Sequence, residues 1–209
     1  MFSLPTKALA ITAGFALGLM AASDASANEA ELQLLQTVER IERSLDARIG
    51  LLVRDTGSDW SISHRADERF LMASTFKSML CGAVLQQVDL GALDLEERVE
   101  ITPEDVLDYA PVTEPMVGDT MTIGELCFAA LDMSDNTATN LLIDRLGGPE
   151  AVTTFLRRVG DGVSRLDRRE PDVNTFSPGD PRDTTTPVAM VATLETMLDG
   201  DSLTPQSRT

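Results

Sequence analysis

The order of apolar and polar residues predicts one helix and one hairpin at the start of the chain. Apolar residues recur every third or fourth position over residues 30–48, which is the period of an amphipathic helix. Two short apolar runs, 49–54 and 60–64, then predict strands on either side of a turn at 55–58. No further strand is predicted, because the later spacing is helical almost to the end.

Several of the later helices carry their own boundary signals. Thr102 before Pro103 is typical of a helix start, and Thr122 with Glu125 fits a capping box ahead of a helix to about residue 132. Helices are also predicted over 137–146, from 149, and over 187–198. The polar stretch 160–187 is too long for a simple connection, and such loops in compact domains are usually functional or disordered.

The first residues have the pattern of an export signal. Lys7 precedes an uncharged run over 8–23 and then Ala25-Ser26-Ala27, so we expect a signal peptide over 1–27 that is cleaved after Ala27. A membrane anchor would need about 20 apolar residues, and this run is shorter. The expected mature protein is exported, to a periplasm or beyond the cell. Because no lipid-anchor cysteine follows the signal, the periplasm is favoured.

Charge and cysteine content narrow the possible partners. The chain has 34 acidic and 17 basic residues and a net charge of −17, which disfavours binding to nucleic acid or to anionic membranes. Cys81 and Cys127, in an exported chain, predict one disulfide. His64 is the only histidine, and no Cys/His cluster predicts a metal site.

Ser74 and Lys77 are the first candidates for chemistry. At positions i and i+3 of a helix start, the hydroxyl and the amine share a face. The helix N-terminus favours a developing oxyanion, and burial lowers the pKa of a lysine so that it can accept a proton. Taken alone, the pair also fits a capping serine followed by a surface lysine.

Two further polar clusters complete the candidate site. Ser134-Asp135-Asn136 lies between two predicted helices, where it can present a hydroxyl and an amide or simply cap the next helix. Glu170 and Asn174, within the long polar stretch, could hold one water as base and positioner. In isolation they also fit a solvated acidic loop.

Together these motifs resemble the class A serine β-lactamases, and among them the broad-spectrum penicillinases. The resemblance extends over nearly all of the chain after residue 27. It is carried by the Ser74 helix with residues 81–85, and by residues 65–70, 109–114, 133–137, 166–168, 170–171 and 182–187.

The resemblance implies a role for each matching residue. Ser74 would be the nucleophile and Lys77 a proton acceptor. Ser134 would relay a proton, and Glu170 would be the base for the deacylating water. Substrate and water would be held by Tyr109, Asn136 and Asn174. Cys81 and Cys127 match the family's disulfide pair, and Arg168 and Asp183 match the ion pair that closes its omega loop. The substrate would be a β-lactam antibiotic, and one catalytic water would take part in its hydrolysis. The enzyme would be a monomer without cofactor or metal.

The implied fold is α+β, with an all-helical domain and an antiparallel-sheet domain in the serine β-lactamase and DD-peptidase arrangement. Residues 28–65 would supply the first helix and two strands of the sheet domain, and 66–209 the helical domain, with the omega loop at about 165–183. No Lys-Thr-Gly or Arg-Thr-Gly strand follows, so a truncated chain with impaired activity is expected. The alternatives are a non-catalytic remnant and a cell-wall DD-peptidase.

Overall fold

A computed structural model describes residues 12–208, with side chains described from Glu29 onwards. The signal peptide predicted over 1–27 lies outside the described residues as far as Ile11, and its remaining side chains are not described. The structure divides into two compact units between His64 and Arg65. Over residues 12–208, no helix is both long enough and apolar enough to cross a membrane.

The first unit contains helix α1 (Thr12–Leu45) and the predicted hairpin, strands β1 (Leu51–Arg54) and β2 (Ser61–His64). The hairpin is antiparallel, with Leu51 opposite His64 and Arg54 opposite Ser61. Its turn is closed by a hydrogen bond from Ser58 N to Asp55 O at 3.3 Å. The two predicted strands and their turn are therefore confirmed.

Both predicted ends of α1, residues 30 and 48, are wrong, because the helix begins at Thr12 and ends three residues early, at Leu45. The helix stops at Leu45 because Asp46 turns into the left-handed region, with φ of +48°, and Ala47 N instead donates to Glu42 O at 3.1 Å. The carboxylate of Glu42 also accepts from Ile49 N at 2.7 Å and lies 3.1 Å from His64 Nε2. One glutamate thus ties the end of α1 to both sides of the hairpin.

The second unit is built around helix α2 (Phe76–Asp89), which contacts three other helices. These are α3 (Ile123–Asp132), α4 (Asn136–Leu146) and α5 (Pro149–Arg158). Helix α6 (Pro187–Leu198) adds Met197 to the same core. The core is formed by apolar side chains that are almost wholly inaccessible, including Phe76, Met79, Leu80, Leu126, Leu142, Ile143 and Leu156.

The predicted start signal of α3 is confirmed in atomic detail, and α6 begins at residue 187 as predicted. Thr122 Oγ1 accepts from Glu125 N at 3.1 Å, and Glu125 Oε2 accepts from Thr122 N at 2.7 Å, so both halves of the capping box are present. Thr186 caps α6 through Ala189 N at 3.1 Å, and Pro187 opens that helix. Thr102 and Asp105 form a similar box, but it starts only a single 3₁₀ turn, Pro103–Asp105.

The expectation of only two strands is wrong, because the second unit has two small antiparallel sheets of its own. One pairs β4 (Arg98–Glu100) with β5 (Thr120–Thr122), and the other pairs β3 (Phe70–Leu71) with β6 (Thr184–Thr185). Such two- and three-residue strands leave no alternation of apolar and polar residues to detect. The β3–β6 pair matters for the site, because it brings the end of the long polar stretch beside the segment that leads into Ser74.

Candidate active site

Ser74 lies in a 3₁₀ turn, Ala73–Thr75, that runs directly into α2. Its side chain is exposed, whereas Lys77, one turn further along, is 1 % exposed. Ala73 has φ of +45°, a conformation that costs about 1–2 kcal/mol for a residue with a Cβ atom. The turn is held by Met72, whose carbonyl accepts from Thr75 Oγ1 at 2.6 Å and whose N–H donates to Asp183 O at 2.9 Å.

The amine of Lys77 is surrounded by oxygens from two other parts of the chain. Its Nζ donates to Ser134 O at 2.7 Å, to Ser134 Oγ at 3.0 Å and to Asn136 Oδ1 at 2.9 Å, and lies 3.3 Å from Glu170 Oε1. Burial lowers the pKa of Lys77, and the nearby carboxylates of Glu170 and Asp135 oppose that change without cancelling it. A buried amine with a lowered pKa has the property required of a proton acceptor.

The turn between α3 and α4 both presents side chains to Lys77 and caps α4. Ser134 has φ of +56°, and its carbonyl and hydroxyl both face the amine. Asp135 is fully buried and accepts from Ala138 N at 2.8 Å, so it is the N-cap of α4. The two interpretations left open by the sequence therefore both apply, each to a different residue of the turn.

Asn136 has its amide orientation fixed by its neighbours. Its Oδ1 accepts from Lys77, so its Nδ2 must point the other way, where it donates to Asp108 O at 3.0 Å. The backbone N–H of Asn136 donates to Tyr109 O at 3.1 Å, and the Tyr109 side chain is 64 % exposed. Tyr109 is thus anchored beside Asn136 through its main chain while its ring faces solvent.

Glu170 reaches the cluster from the long polar stretch, with Oε1 at 3.3 Å from Lys77 Nζ. Its Oε2 accepts from Asn174 Nδ2 at 2.7 Å, so the predicted carboxylate–amide pair is in contact. Among the described residues, Oε1 of Glu170 is the one buried side-chain polar atom without a hydrogen-bond partner, although it lies within ion-pair distance of Lys77. This oxygen therefore keeps acceptor capacity that points into the site.

Asn140 is a site residue that the sequence analysis missed. Its Nδ2 donates to Glu170 O at 2.9 Å, and its Oδ1 accepts from Glu170 N at 3.0 Å. The side chain of α4 thus grips the main chain of Glu170 with two hydrogen bonds. Its position four residues after Asn136, on the same face of α4, is the signal that could have identified it.

The polar stretch is closed at its base by the predicted pair Arg168 and Asp183. Arg168 Nε donates to Asp183 Oδ2 at 2.5 Å, and the Asp183 carboxylate also accepts from the backbone N–H groups of Asp167 and Arg168. Asp183 is fully buried, which makes its three charge-assisted hydrogen bonds stronger than a surface pair. We call residues 165–183 the Glu170 loop.

The predicted disulfide between Cys81 and Cys127 is wrong for this structure. Both cysteines are free thiols, and Cys81 Sγ instead donates to Cys127 O at 3.8 Å. Hydrogen bonding to Cys127 and burial raise the pKa of Cys81 well above its ordinary value, so its thiol stays protonated. Cys81 therefore packs as a small apolar residue of the core, which the cysteine count alone could not reveal.

Comparison with known proteins places this geometry in a family. A model of the β-lactamase enzyme family matches residues 33–209. The chain belongs to that family. A β-lactamase from Rhodobacter capsulatus is 53% identical over 198 residues, which cover 95% of this chain and 68% of the relative.

Solved structures agree on the class and the fold. An ancestral class A β-lactamase is 54% identical, with a TM-score of 0.80 over 83% of this chain. A β-lactamase from Xanthomonas campestris is 49% identical, with a TM-score of 0.83 over 85% of this chain. The chain spans 66% of the length of each of these two. The predicted α+β fold and the class A resemblance are confirmed.

Proposed function

We propose that the protein hydrolyses β-lactam antibiotics, penicillins first and some cephalosporins, through an acyl-enzyme at Ser74. The support is the buried contact of Lys77 with Ser134, Asn136 and Glu170 one helical turn from Ser74. As members of a class A β-lactamase these residues take the roles that the family motifs assign. The protein would act in the periplasm as an exported monomer.

In the acylation step, Ser74 Oγ attacks the lactam carbonyl and its proton passes to a base. Lys77 can accept that proton because burial lowers its pKa. The amine is 3.0 Å from Ser134 Oγ, so the proton can continue through that hydroxyl to the lactam nitrogen as the C–N bond breaks. The proposed role of Asn136 is to donate the remaining N–H of Nδ2 to an amide carbonyl of the substrate.

In the deacylation step, Glu170 takes a proton from a water that attacks the ester carbonyl, and that proton then passes to Ser74 Oγ as the ester C–O bond breaks. Oε1 of Glu170 has acceptor capacity to spare, and Asn174 holds Oε2 in place. This pair also separates the proposal from the DD-peptidase alternative. A penicillin-binding protein without such a water base would keep its acyl group.

Intact-mass spectrometry after mixing with a fluorescent penicillin tests the two steps separately. The native chain should turn over penicillin, Glu170→Ala should accumulate a covalent adduct, and Ser74→Ala should show none. Ser78→Ala, a serine in the same helix, is the control and should behave as the native chain. A persistent adduct on the native chain would favour the DD-peptidase alternative, and no adduct on any variant would favour a non-catalytic remnant.

A further inference from the structure

The segment that carries Tyr109, residues 105–113, is attached to the start of α4 along its whole length. We call it the Tyr109 loop. At its centre, Asn136 donates from its side chain to Asp108 O and from its backbone to Tyr109 O. At its far end, Asp135 Oδ2 accepts from the N–H groups of residues 112 and 113 at 3.0 and 2.9 Å.

The near end of the Tyr109 loop is held by Thr137, a residue with no role so far. Thr137 is fully buried in the first turn of α4. Its Oγ1 accepts from Leu107 N at 2.9 Å and donates to Asp105 O at 3.1 Å. One hydroxyl therefore pairs with an N–H and a carbonyl of the loop main chain. The single proton of the Thr137 hydroxyl is fully used by this arrangement.

Tyr109 needs such restraint because its backbone is in the left-handed region, with φ of +65°. A residue with a side chain holds that conformation only where the surroundings determine it. The hydrogen bonds of Thr137, Asn136 and Asp135 bracket Tyr109 on both sides along the chain. Loss of the Thr137 anchor would release the side of the loop that leads into Asp108 and Tyr109.

We infer that Thr137 is a positioning residue whose buried hydroxyl sets the placement of Tyr109 beside Asn136. The placement of the Tyr109 main chain follows from these hydrogen bonds alone. Its consequence for substrate rests on the proposed function. If Tyr109 is displaced, the substrate side chain binds more weakly, while the Lys77 cluster that performs the chemistry is unaltered.

The composition of the chain supplies a direct test, because Tyr109 is its only tyrosine. Isotope-labelled tyrosine gives a single ring signal set in an NMR spectrum. In Thr137→Val, which keeps the shape of the side chain and loses the hydroxyl, these signals should shift and sharpen. Thr137→Ser keeps the hydroxyl and should restore the native spectrum.

Thr193→Val is the matched control, because Thr193 is 1 % exposed and its Oγ1 donates to Asp161 Oδ2 at 2.9 Å. It removes an equally buried hydroxyl elsewhere in the same unit and should leave the Tyr109 signals unchanged. Thr137→Ala, which adds no apolar bulk, guards against misfolding of Thr137→Val and should show the same ring shift.

The second readout is the concentration dependence of acylation by a fluorescent penicillin. Loss of the anchor should raise the concentration for half-maximal rate about five-fold, the equivalent of one ordinary hydrogen bond, with the limiting rate unchanged within about two-fold. Ring signals in Thr137→Val and Thr137→Ala identical to native, or shifted equally by Thr193→Val, would overturn the inference. Failure of the native chain to acylate would refute the proposed function and leave the ring-signal test intact.

Discussion

Replacing Asn140 by alanine tests how the Glu170 loop is held on the helical core. The substitution removes both hydrogen bonds between α4 and the main chain of Glu170, at 2.9 and 3.0 Å. Asp144, one turn later on α4, offers a matched comparison, because it forms an ion pair with Arg169 of the same loop. Both replacements put alanine, the best helix former, into the same helix.

The two contacts differ in their expected strength. Each hydrogen bond of the Asn140 pair contributes about 0.5–1.5 kcal/mol, so their joint loss should cost about 1–3 kcal/mol. The side chains of Arg169 and Asp144 are 42% and 54% exposed, and an exposed ion pair contributes about 0–1 kcal/mol. Since about 1.4 kcal/mol is a factor of ten, local opening should increase about 5- to 150-fold in Asn140→Ala and at most about 5-fold in Asp144→Ala.

Hydrogen exchange of peptides that cover residues 165–183, read by mass spectrometry, measures this opening directly. Peptides from α5 serve as an internal reference, because neither substituted residue lies in that helix. Faster exchange in Asp144→Ala than in Asn140→Ala would refute the reasoning that two half-buried amide hydrogen bonds outweigh an exposed charge pair here. Unchanged exchange in both variants would show that Arg168 and Asp183 hold the loop without Asn140.

Two further predictions concern pH. Burial lowers the pKa of Lys77 below its ordinary value of 10.5 despite the charge of Glu170. The acylation rate with a fluorescent penicillin should therefore rise with pH and level off before pH 10.5. A rate that continues to rise beyond pH 10.5 would contradict this prediction. Burial raises the pKa of Asp161, but hydrogen bonds from Ser164 and Thr193 together lower it by more. The net pKa therefore lies below the ordinary value of 3.8. The contribution of Asp161 to the free energy of unfolding is therefore present above pH 3.8 and is lost as the pH falls through the folded pKa. Asp161→Asn should make the loss of helical circular dichroism at low pH less steep. An unchanged loss at low pH would show that Asp161 does not contribute to it.

Local signals in the sequence were sufficient wherever a hydrogen bond joins residues a few positions apart. The capping box of Thr122 and Glu125 closes over three residues, and the predicted start of α6 at residue 187 also depended on neighbouring residues alone. The hairpin was equally accessible, because its turn and its strands are neighbours in sequence. The pair of Glu170 and Asn174, four residues apart in one loop, belongs to this group.

Contacts between distant parts of the chain left no such signal. Phe70 pairs with Thr185 between two strands of two residues each. Such strands are too short to show an alternation of apolar and polar residues. The hydrogen bonds of Asn140 join residues 30 apart in sequence, so its spacing from Asn136 indicates its face of α4 but not its partner Glu170. The cysteine pair failed for the opposite reason. Its count and expected compartment suggested a bond, whereas both residues are free thiols in the structure.

The arrangement around Lys77 offers hydrogen-bond partners to both the charged and the neutral form of its amine. A charged amine has three protons, and Ser134 O, Asn136 Oδ1 and Ser134 Oγ can accept all of them. A neutral amine keeps two protons for the carbonyl and the amide oxygen, which can only accept. Ser134 Oγ can then reverse and donate to the lone pair, because a hydroxyl serves in either direction. Each protonation state thus leaves every nitrogen valence of Lys77 paired, and the exchange between them requires only the rotation of one hydroxyl.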